Sequence, residues 1–391
     1  MNILFTNITP FDPRYGGVQR VADIMCREFT ALGHRVFYLH LTWYREESKN
    51  CNYPAESVTI LPNSDVNSEQ NVEFYNQFIE INKIDVIINH DGLYEGTALF
   101  CNVRNKKVKL ISVIHNNPLL NYNYLWGELS YLRNNTWIEK IKRIARCCLY
   151  FKIKKQRLLS LQRHYAQYDR DNHSVLVLLS SRYKQPLLKI APYLSTKLYA
   201  ISNPNSYEEI REIQTKEKEI LFVGRLDNRS KKVNRLLKIW DNLYKDFPDW
   251  RLSIVGDGPD RGILENYAIK LRLERITFYG ISNPRPFYER ASIICMTSDF
   301  EGFPMVLTEA MQFGCVPVAY DSFEAVKDVI IHGETGFLVR PFNRKKYIKS
   351  LDGLMSDNEL LERMSASAFQ LVKKFDKKRI TQEWLELINS I

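Results

Sequence analysis

Short apolar runs alternate with amphipathic helical stretches along this chain, and the alternation occurs in two separate series. The first series has apolar runs at Asn2 to Thr6, Arg35 to Leu41, Ile84 to His90, Val108 to His115, Ser174 to Ser180 and Lys197 to Ile201. After the polar stretch NPNSYEEIREIQTKEKE, a second series falls at Ile220 to Gly224, Arg251 to Gly256, Ile276 to Gly280, Ile293 to Met296, Val316 to Ala319 and Gly336 to Val339. Strands separated by helices predict parallel sheets covered on both faces. Two series predict two such sheets, and 391 residues exceed the usual reach of one hydrophobic core. The boundary falls between Asn203 and Glu219, giving a first domain over 1–203 and a second over 204–375. Helical patterns then run from Lys345 to Phe375 and from Lys378 onward, so that 376–391 forms a closing helix that can return to the first domain through Trp384 and Leu387.

The stretch SIICMTSDFEGFPMVLTEAMQFGCVPVA, Ser292 to Ala319, holds the most specific chemistry. SIICM reads as a buried strand and SDFEGF as a turn, after which Pro304 suits the first position of a helix. Glu301 then lies in the turn and Glu309 on the helix. A helix that starts directly after a strand offers unpaired N–H groups and a positive dipole end to a phosphate, while the flanking carboxylates can accept from sugar hydroxyls. Such a layout suits a nucleotide sugar. The plain alternative is an ordinary strand, turn and helix with two solvated glutamates.

EGFPMVLTE followed by AMQFGCVPV resembles the paired-glutamate signature of the retaining glycosyltransferases of family 4 (glycosyl transferases group 1). The likeness rests on the aligned neighbours, Gly302, Phe303 and Pro304 in the turn, Ala310 and Met311 on the helix, and Gly314 and Pro317 before and in the next strand, more than on the glutamate spacing. It implies the GT-B fold, in which two Rossmann-like domains turn their parallel sheets toward each other across a deep cleft. It further implies donor contacts at Gly302, Phe303, Pro304, Met305, Val306 and Glu309, with Glu301 beside the transferred sugar. The resemblance runs through nearly the whole chain but is dense only from Ile220 to Val339.

Other motifs fall at strand ends. FVGRLDNRSKKVNRLLKIW puts Gly224 and Arg225 directly after a strand and Lys231 just before an amphipathic helix, so that both cations can converge on one pole of the sheet. This matches the family's G-R-L, lysine and V-D-x-L pattern, with Asn234 where aspartate is common and Lys232 where glycine is common. Lys231 fits the spacing better than Lys232, although the pair leaves both open. A solvated basic cluster capping a helix is the bland reading. In PFDPRYGGVQR, Gly16 and Gly17 lack a Cβ and admit a ligand close to the backbone, which resembles the family's loop facing the donor diphosphate and the acceptor. IVGDGPDRGIL repeats the strand, turn and helix sequence, with Gly256 in a structural turn near the nucleotide, and Gly280 and Ile281 sit where the family's backbone pairs with the base. His115 ends the strand KLISVIH and is expected in the crevice at the sheet's carboxyl end; the resemblance implies a histidine there near the donor sugar and acceptor. Asp91 and Glu95 are candidates for acceptor contact, while no motif places His90.

Glu301 and Glu309 are read as hydroxyl ligands instead of the nucleophile and acid of a retaining hydrolase. The resemblance implies front-face substitution, in which the donor's own phosphate takes the acceptor proton and the protein supplies positioning and charge stabilisation through Arg225 and Lys231. No metal and no cofactor are then expected. The triplet Asp169-Arg170-Asp171 precedes a strand instead of ending one, unlike a metal-binding D-x-D. The expected partners are a nucleotide-sugar donor, UDP-linked, carrying a hexose or N-acetylhexosamine, and a saccharide or lipid-linked saccharide acceptor in cell-surface polysaccharide or lipopolysaccharide synthesis. Three rivals are weaker. A sugar-nucleotide epimerase on the same fold needs acid and base groups not assembled here, and a dinucleotide oxidoreductase needs G-x-G-x-x-G after the first strand. A non-catalytic basic adaptor for membrane or RNA has no use for Glu309 beside Arg225 and Lys231.

The net charge of +10 is concentrated: between Arg133 and Arg163 there are ten Lys/Arg and one acidic residue, Glu139. Trp137, Ile141, Ile144, Cys148 and Phe151 recur on one helical face. Either this stripe packs on the first sheet, or it lies on an anionic membrane with Lys140, Lys142, Arg143 and Arg146 at the headgroups. No nucleic-acid motif accompanies the patch, and nucleic acid is not expected as a partner. Seven cysteines, without a C-x-x-C pair, argue against a disulfide framework. With no signal peptide pattern and no spanning run, a cytoplasmic location is expected, at the inner face of the plasma membrane where the stripe meets lipid.

Overall fold

All twelve apolar runs form strands, and every strand pairing is parallel. The computed structural model describes residues 1–41, 46–93, 96–125, 129, 137–169 and 174–391. The chain divides into two units, Met1–Ser206 together with Lys377–Ile391, and Tyr207–Asp376.

The first unit holds a seven-stranded sheet: β1 (Asn2–Asn7), β2 (Arg35–His40), β3 (Ser57–Ile60), β4 (Val86–Asn89), β5 (Lys109–Ile114), β6 (Ser174–Leu178) and β7 (Leu198–Ala200), in the order β3-β2-β1-β4-β5-β6-β7. The strand β3 has no counterpart among the sequence expectations. Its four residues are only half-buried at the sheet edge, so they lack the continuous apolar run that marks the central strands. The strand order reverses between β1 and β4, which opens a crevice at their carboxyl ends where open α/β sheets bind ligands. The closing helix Lys377–Ser390 packs against the helix Gly17–Ala31. Trp384, Leu387 and Ile388 are buried there, Lys377 pairs with Glu28 at 2.9 Å, and Lys109 Nζ donates to the Ile388 carbonyl at 2.6 Å.

The second unit holds β8 (Glu217–Val223), β9 (Arg251–Val255), β10 (Ile276–Gly280), β11 (Ala291–Met296), β12 (Val316–Tyr320) and β13 (Phe337–Val339), in the order β10-β9-β8-β11-β12-β13. Here the order reverses between β8 and β11. Ile220, Phe222, Leu236, Trp240, Ile254, Ile293 and Val318 belong to one buried core against this sheet. Two helical expectations shift. Pro304 precedes the helix instead of opening it: with φ −84° and ψ 66° it caps Met305–Gln312. The pattern from Lys345 to Phe375 breaks at Asp357, whose Oδ1 accepts from Leu360 N at 2.9 Å and so starts a second helix, Asn358–Leu371.

At the carboxyl end of β4 and β5, His90 and His115 meet. His90 Nδ1 lies 2.9 Å from His115 Nε2, with the rings nearly parallel at 13° and their centroids 5.1 Å apart. His90 Nε2 and His115 Nδ1 are buried without a hydrogen-bond partner among the described residues. A cavity of about 10 Å³, room for about one water, is bordered by both rings, Phe5, Met25, Phe29 and Trp384. Burial holds both imidazoles neutral, pushing His115 down to about 3 and His90 well below the ordinary histidine value. In the unfolded chain these rings take up protons below about pH 6.5, so the unfolded state binds more protons and acid favours it. Between about pH 6.5 and 4 the chain should lose up to about 1.4 kcal/mol of stability per pH unit for each ring. Urea unfolding across this range should show a shallower pH dependence in a His90→Asn, His115→Asn double variant; equal slopes would contradict the buried neutral pair.

Candidate functional site

The carboxyl ends of β8, β9 and β10 are laced backbone to backbone. Gly224 N donates to the Val255 carbonyl at 3.0 Å, Leu226 N to Asp257 O at 2.9 Å, and Gly256 N to Gly280 O at 2.8 Å. This closeness requires glycine at position 256, which has φ +129° and where a Cβ would stand 2.0 Å from the Gly224 carbonyl oxygen. The turn after β9 is therefore a structural clamp on the turn after β8.

The clamp fixes the loop that carries the cations. Arg225 projects exposed from it, and its guanidinium makes no ion pair among the described residues. Six residues later Lys231 Nζ donates to Glu301 Oε1 at 2.6 Å, with both side chains mostly covered. The neighbouring Lys232 goes elsewhere, 3.4 Å from Asp299 Oδ2, and Arg235 pairs with the same carboxylate. Lys232 has φ +53°, a left-handed position, which explains why glycine suits this place in the pattern. The two loops are tied by main-chain contacts as well. Asp299 N donates to Ser230 O at 2.8 Å, and the Thr297 hydroxyl lies 3.1 Å from the carbonyls of both Lys231 and Lys232. Since β8 and β11 are neighbours at the point where strand order reverses, Arg225, Lys231 and Glu301 gather at the crevice of this sheet.

Glu309 lies about one turn into the helix Met305–Gln312, and its side chain is fully buried. Tyr288, itself buried on the helix Arg285–Arg290, donates its Oη to Glu309 Oε2 at 2.9 Å. A buried polar side chain is costly without such a partner. Tyr288 was invisible in the sequence, because nothing in RPFYER signals a partner 21 residues away. Gly302, Phe303, Pro304 and Met305 are buried and Val306 is half-buried. The helix start offers fewer open donors than expected, since Met305 N already donates to Phe303 O at 3.0 Å. Gly280 has φ +69°, and Ile281 beyond it is 87% exposed, available to stack or pair with a planar group.

In the first unit, Gly16 is extended (φ 178°) and caps the helix that begins at Gly17, so no special backbone conformation calls for glycine there, although a Cβ would stand 2.4 Å from Gln19 Oε1. Its loop is anchored by Asp12, which the sequence reading did not single out. The buried Asp12 carboxylate accepts from Arg14 N at 3.1 Å, Arg14 Nε at 2.8 Å and Ser48 Oγ at 3.0 Å. Hydrogen bonds and charge from Arg14 outweigh burial and hold Asp12 below the usual carboxylate range. His115 is joined by His90, which a motif could not place because it comes from a neighbouring strand. Asp91 is buried; Glu95, Arg170 and Asp171 lie outside the described residues. Among the described residues no group of three or more His, Cys, Asp and Glu is arranged to hold a metal.

Residues 205–371 match the family described as glycosyl transferases group 1. An uncharacterised glycosyltransferase of Haemophilus influenzae is 36% identical over 195 residues, 49% of this chain and 55% of that protein. A Campylobacter jejuni α-1,4-N-acetyl-D-galactosaminyltransferase, named for a diphosphoundecaprenol-linked GalNAc saccharide, is 32% identical over 178 residues, 45% of this chain and 49% of its own length. The chain thus spans about half the length of these curated relatives. Anabaena Alr3699/HepE, solved in complex with UDP and glucose, shares the fold with a TM-score of 0.74 at 17% identity, each chain covered in full. Residues 205–371 thus carry the likeness to the glycosyl transferases group 1, in a chain whose two parallel-sheet, Rossmann-like domains have the GT-B fold.

Proposed function

We propose that the protein transfers a hexose or N-acetylhexosamine from a UDP-sugar to a saccharide acceptor, lipid-linked and destined for cell-surface polysaccharide or lipopolysaccharide, with retention of anomeric configuration and without a metal ion. The observation that carries this reading is the Lys231–Glu301 pair at the crevice between β8 and β11, with exposed Arg225 on the same loop as Lys231 and Glu309 on the helix that follows Glu301. A UDP donor is supported by the UDP complex of HepE, and a lipid-linked acceptor by the name of the Campylobacter relative.

The chemistry follows from the charges. When the bond from the anomeric carbon to the diphosphate breaks, negative charge grows on the leaving phosphate oxygen. Arg225 and Lys231 are the cations placed to stabilise it, and interactions that strengthen as this charge grows lower the barrier. The Lys231 ammonium is held by Glu301. Donor binding would give that ammonium a second anion and turn the Glu301 carboxylate toward the sugar hydroxyls. Glu309, oriented by Tyr288, is the ligand for the ribose hydroxyls. The acceptor hydroxyl attacks on the face from which the diphosphate departs, its proton passing to the departing phosphate oxygen. His115 lies on the acceptor side, held neutral and so able to hydrogen-bond a hydroxyl without adding charge.

Lys231→Ala and Arg225→Ala should each lower turnover by about 100-fold or more while weakening UDP-sugar affinity by less than about tenfold. Steady-state kinetics combined with calorimetry separates the two effects; a loss confined to affinity, or a loss at Lys232→Ala with Lys231→Ala unaffected, would assign the charge to another group.

Glu309→Ala should weaken UDP and UDP-sugar alike, and Tyr288→Phe should do so to a smaller degree, as one hydrogen bond to a charged group contributes about 1.5–3 kcal/mol. Calorimetric titration with UDP checks this, and unchanged affinity in Glu309→Ala would remove the ribose role.

The reading as a whole is tested by the product: NMR of the new linkage should show the donor's anomeric configuration, and turnover should persist in EDTA. An inverted product, or activity lost in EDTA and restored by manganese, would count against the mechanism.

A further inference from the structure

The helices Trp137–Cys148 and Tyr150–Ala166 follow one another with Leu149 between them. Among the described side chains of the first helix, none is buried. Trp137 is 71% exposed, Ile141 55%, Ile144 59%, Leu149 51% and Phe151 82%. Of the two readings that the sequence leaves open, packing of this stripe on the sheet is therefore not the one realised. A contiguous row of large apolar side chains facing water marks an interaction surface.

What covers the row is decided by its surroundings. With one acidic residue against ten basic ones between Arg133 and Arg163, the partner must be anionic. At about 100° per residue, Lys140 borders the apolar row at about 60° from its centre, Lys142 and Arg143 lie about 120° to 140° from it on either side, and Arg146 lies opposite. An RNA or an acidic protein segment would satisfy the cations but leave Trp137, Ile144 and Phe151 in water. A second copy would satisfy the apolar row but bring two like-charged helices together, in a chain that already carries +10. An anionic bilayer answers both demands. The apolar row enters the boundary between headgroups and acyl chains, while lysine and arginine stems lie along it with their charges at the phosphates. No helix among the described residues is long and apolar enough to cross a membrane, so the contact is with its surface.

We propose that Trp137–Cys148 and the start of the following helix, through Phe151, form a docking surface for an anionic lipid bilayer, with Lys140, Lys142 and Arg143 as the headgroup contacts and Trp137, Ile141, Ile144 and Phe151 as the inserted row. This stands independently of the proposed transfer reaction. It also gives Arg146, on the far side of the helix, the smallest part among the four cations.

The test is co-sedimentation of the full chain with vesicles of mixed phosphatidylcholine and phosphatidylglycerol, beside vesicles of phosphatidylcholine alone. The wild type should pellet with the mixed vesicles, much less with the neutral ones, and be released at high salt, where screening shortens to about 3 Å. Trp137→Ser with Phe151→Ser should abolish pelleting. Lys140→Gln with Arg143→Gln should weaken it on the order of 25-fold, about fivefold for each cation at the surface, and Arg146→Gln should change it least. The thermal midpoint should stay the same in Trp137→Ser with Phe151→Ser, because both side chains are exposed. No pelleting of the wild type, or equal pelleting of wild type and double variants, would overturn the proposal. So would a wild-type dimer that Trp137→Ser with Phe151→Ser returns to single chains, or RNA binding that outcompetes the vesicles.

Discussion

Parallel pairing sends every strand's carboxyl end to the same pole of its sheet, and the crevices follow from that single constraint. Because β8 and β11 are neighbours without being consecutive, the loops leaving them diverge to opposite faces. The gap they leave is where Lys231 meets Glu301, with Arg225 on the loop that leaves β8. The same reversal between β1 and β4 places the glycine loop and His90 side by side at the pole of the first sheet. Neither site needs an unusual fold; each needs strands of the correct order and loops short enough to stay near the pole.

Backbone closeness sets the precision of the second site. Gly256 allows two main chains to approach until no side chain fits between them, and the hydrogen bonds across β8, β9 and β10 then hold the cation loop rigid. Charge is arranged on top of this frame. Lys231 and Glu301 face each other, while Lys232 and Arg235 are drawn aside by Asp299, so the adjacent lysines have different surroundings despite identical chemistry. Arg225 keeps its guanidinium exposed. The site thus combines one cation held by a carboxylate with one open to water.

What could be read from the sequence was what depends on neighbours in the chain. The buried central strands announce themselves as apolar runs, and glycines at strand ends mark the turns. The half-exposed edge strand Ser57–Ile60 gave no such run, and Pro304 fitted either a cap or a first helical residue until its ψ of 66° placed it outside the helix. Contacts between distant segments were beyond sequence patterns altogether. Tyr288 reaches Glu309, His90 meets His115, and Asp12 holds Ser48 only because the fold brings separate elements together. The apolar stripe from Trp137 to Phe151 was legible as a stripe, but a helical period is the same whether the face meets a sheet or water, and only the fold tells these apart.

The closing helix makes the first unit discontinuous in the chain. Met25 and Glu28 on the helix Gly17–Ala31 find Thr381 and Lys377 only after the whole second unit has been synthesised. On the ribosome, the second unit has every residue it needs before the first one does. The first unit must wait with an apolar helix face uncovered while about 170 residues of its neighbour emerge, an interval in which that face is open to chaperones and to misassembly. The order of synthesis and the order of completion are therefore reversed in this protein.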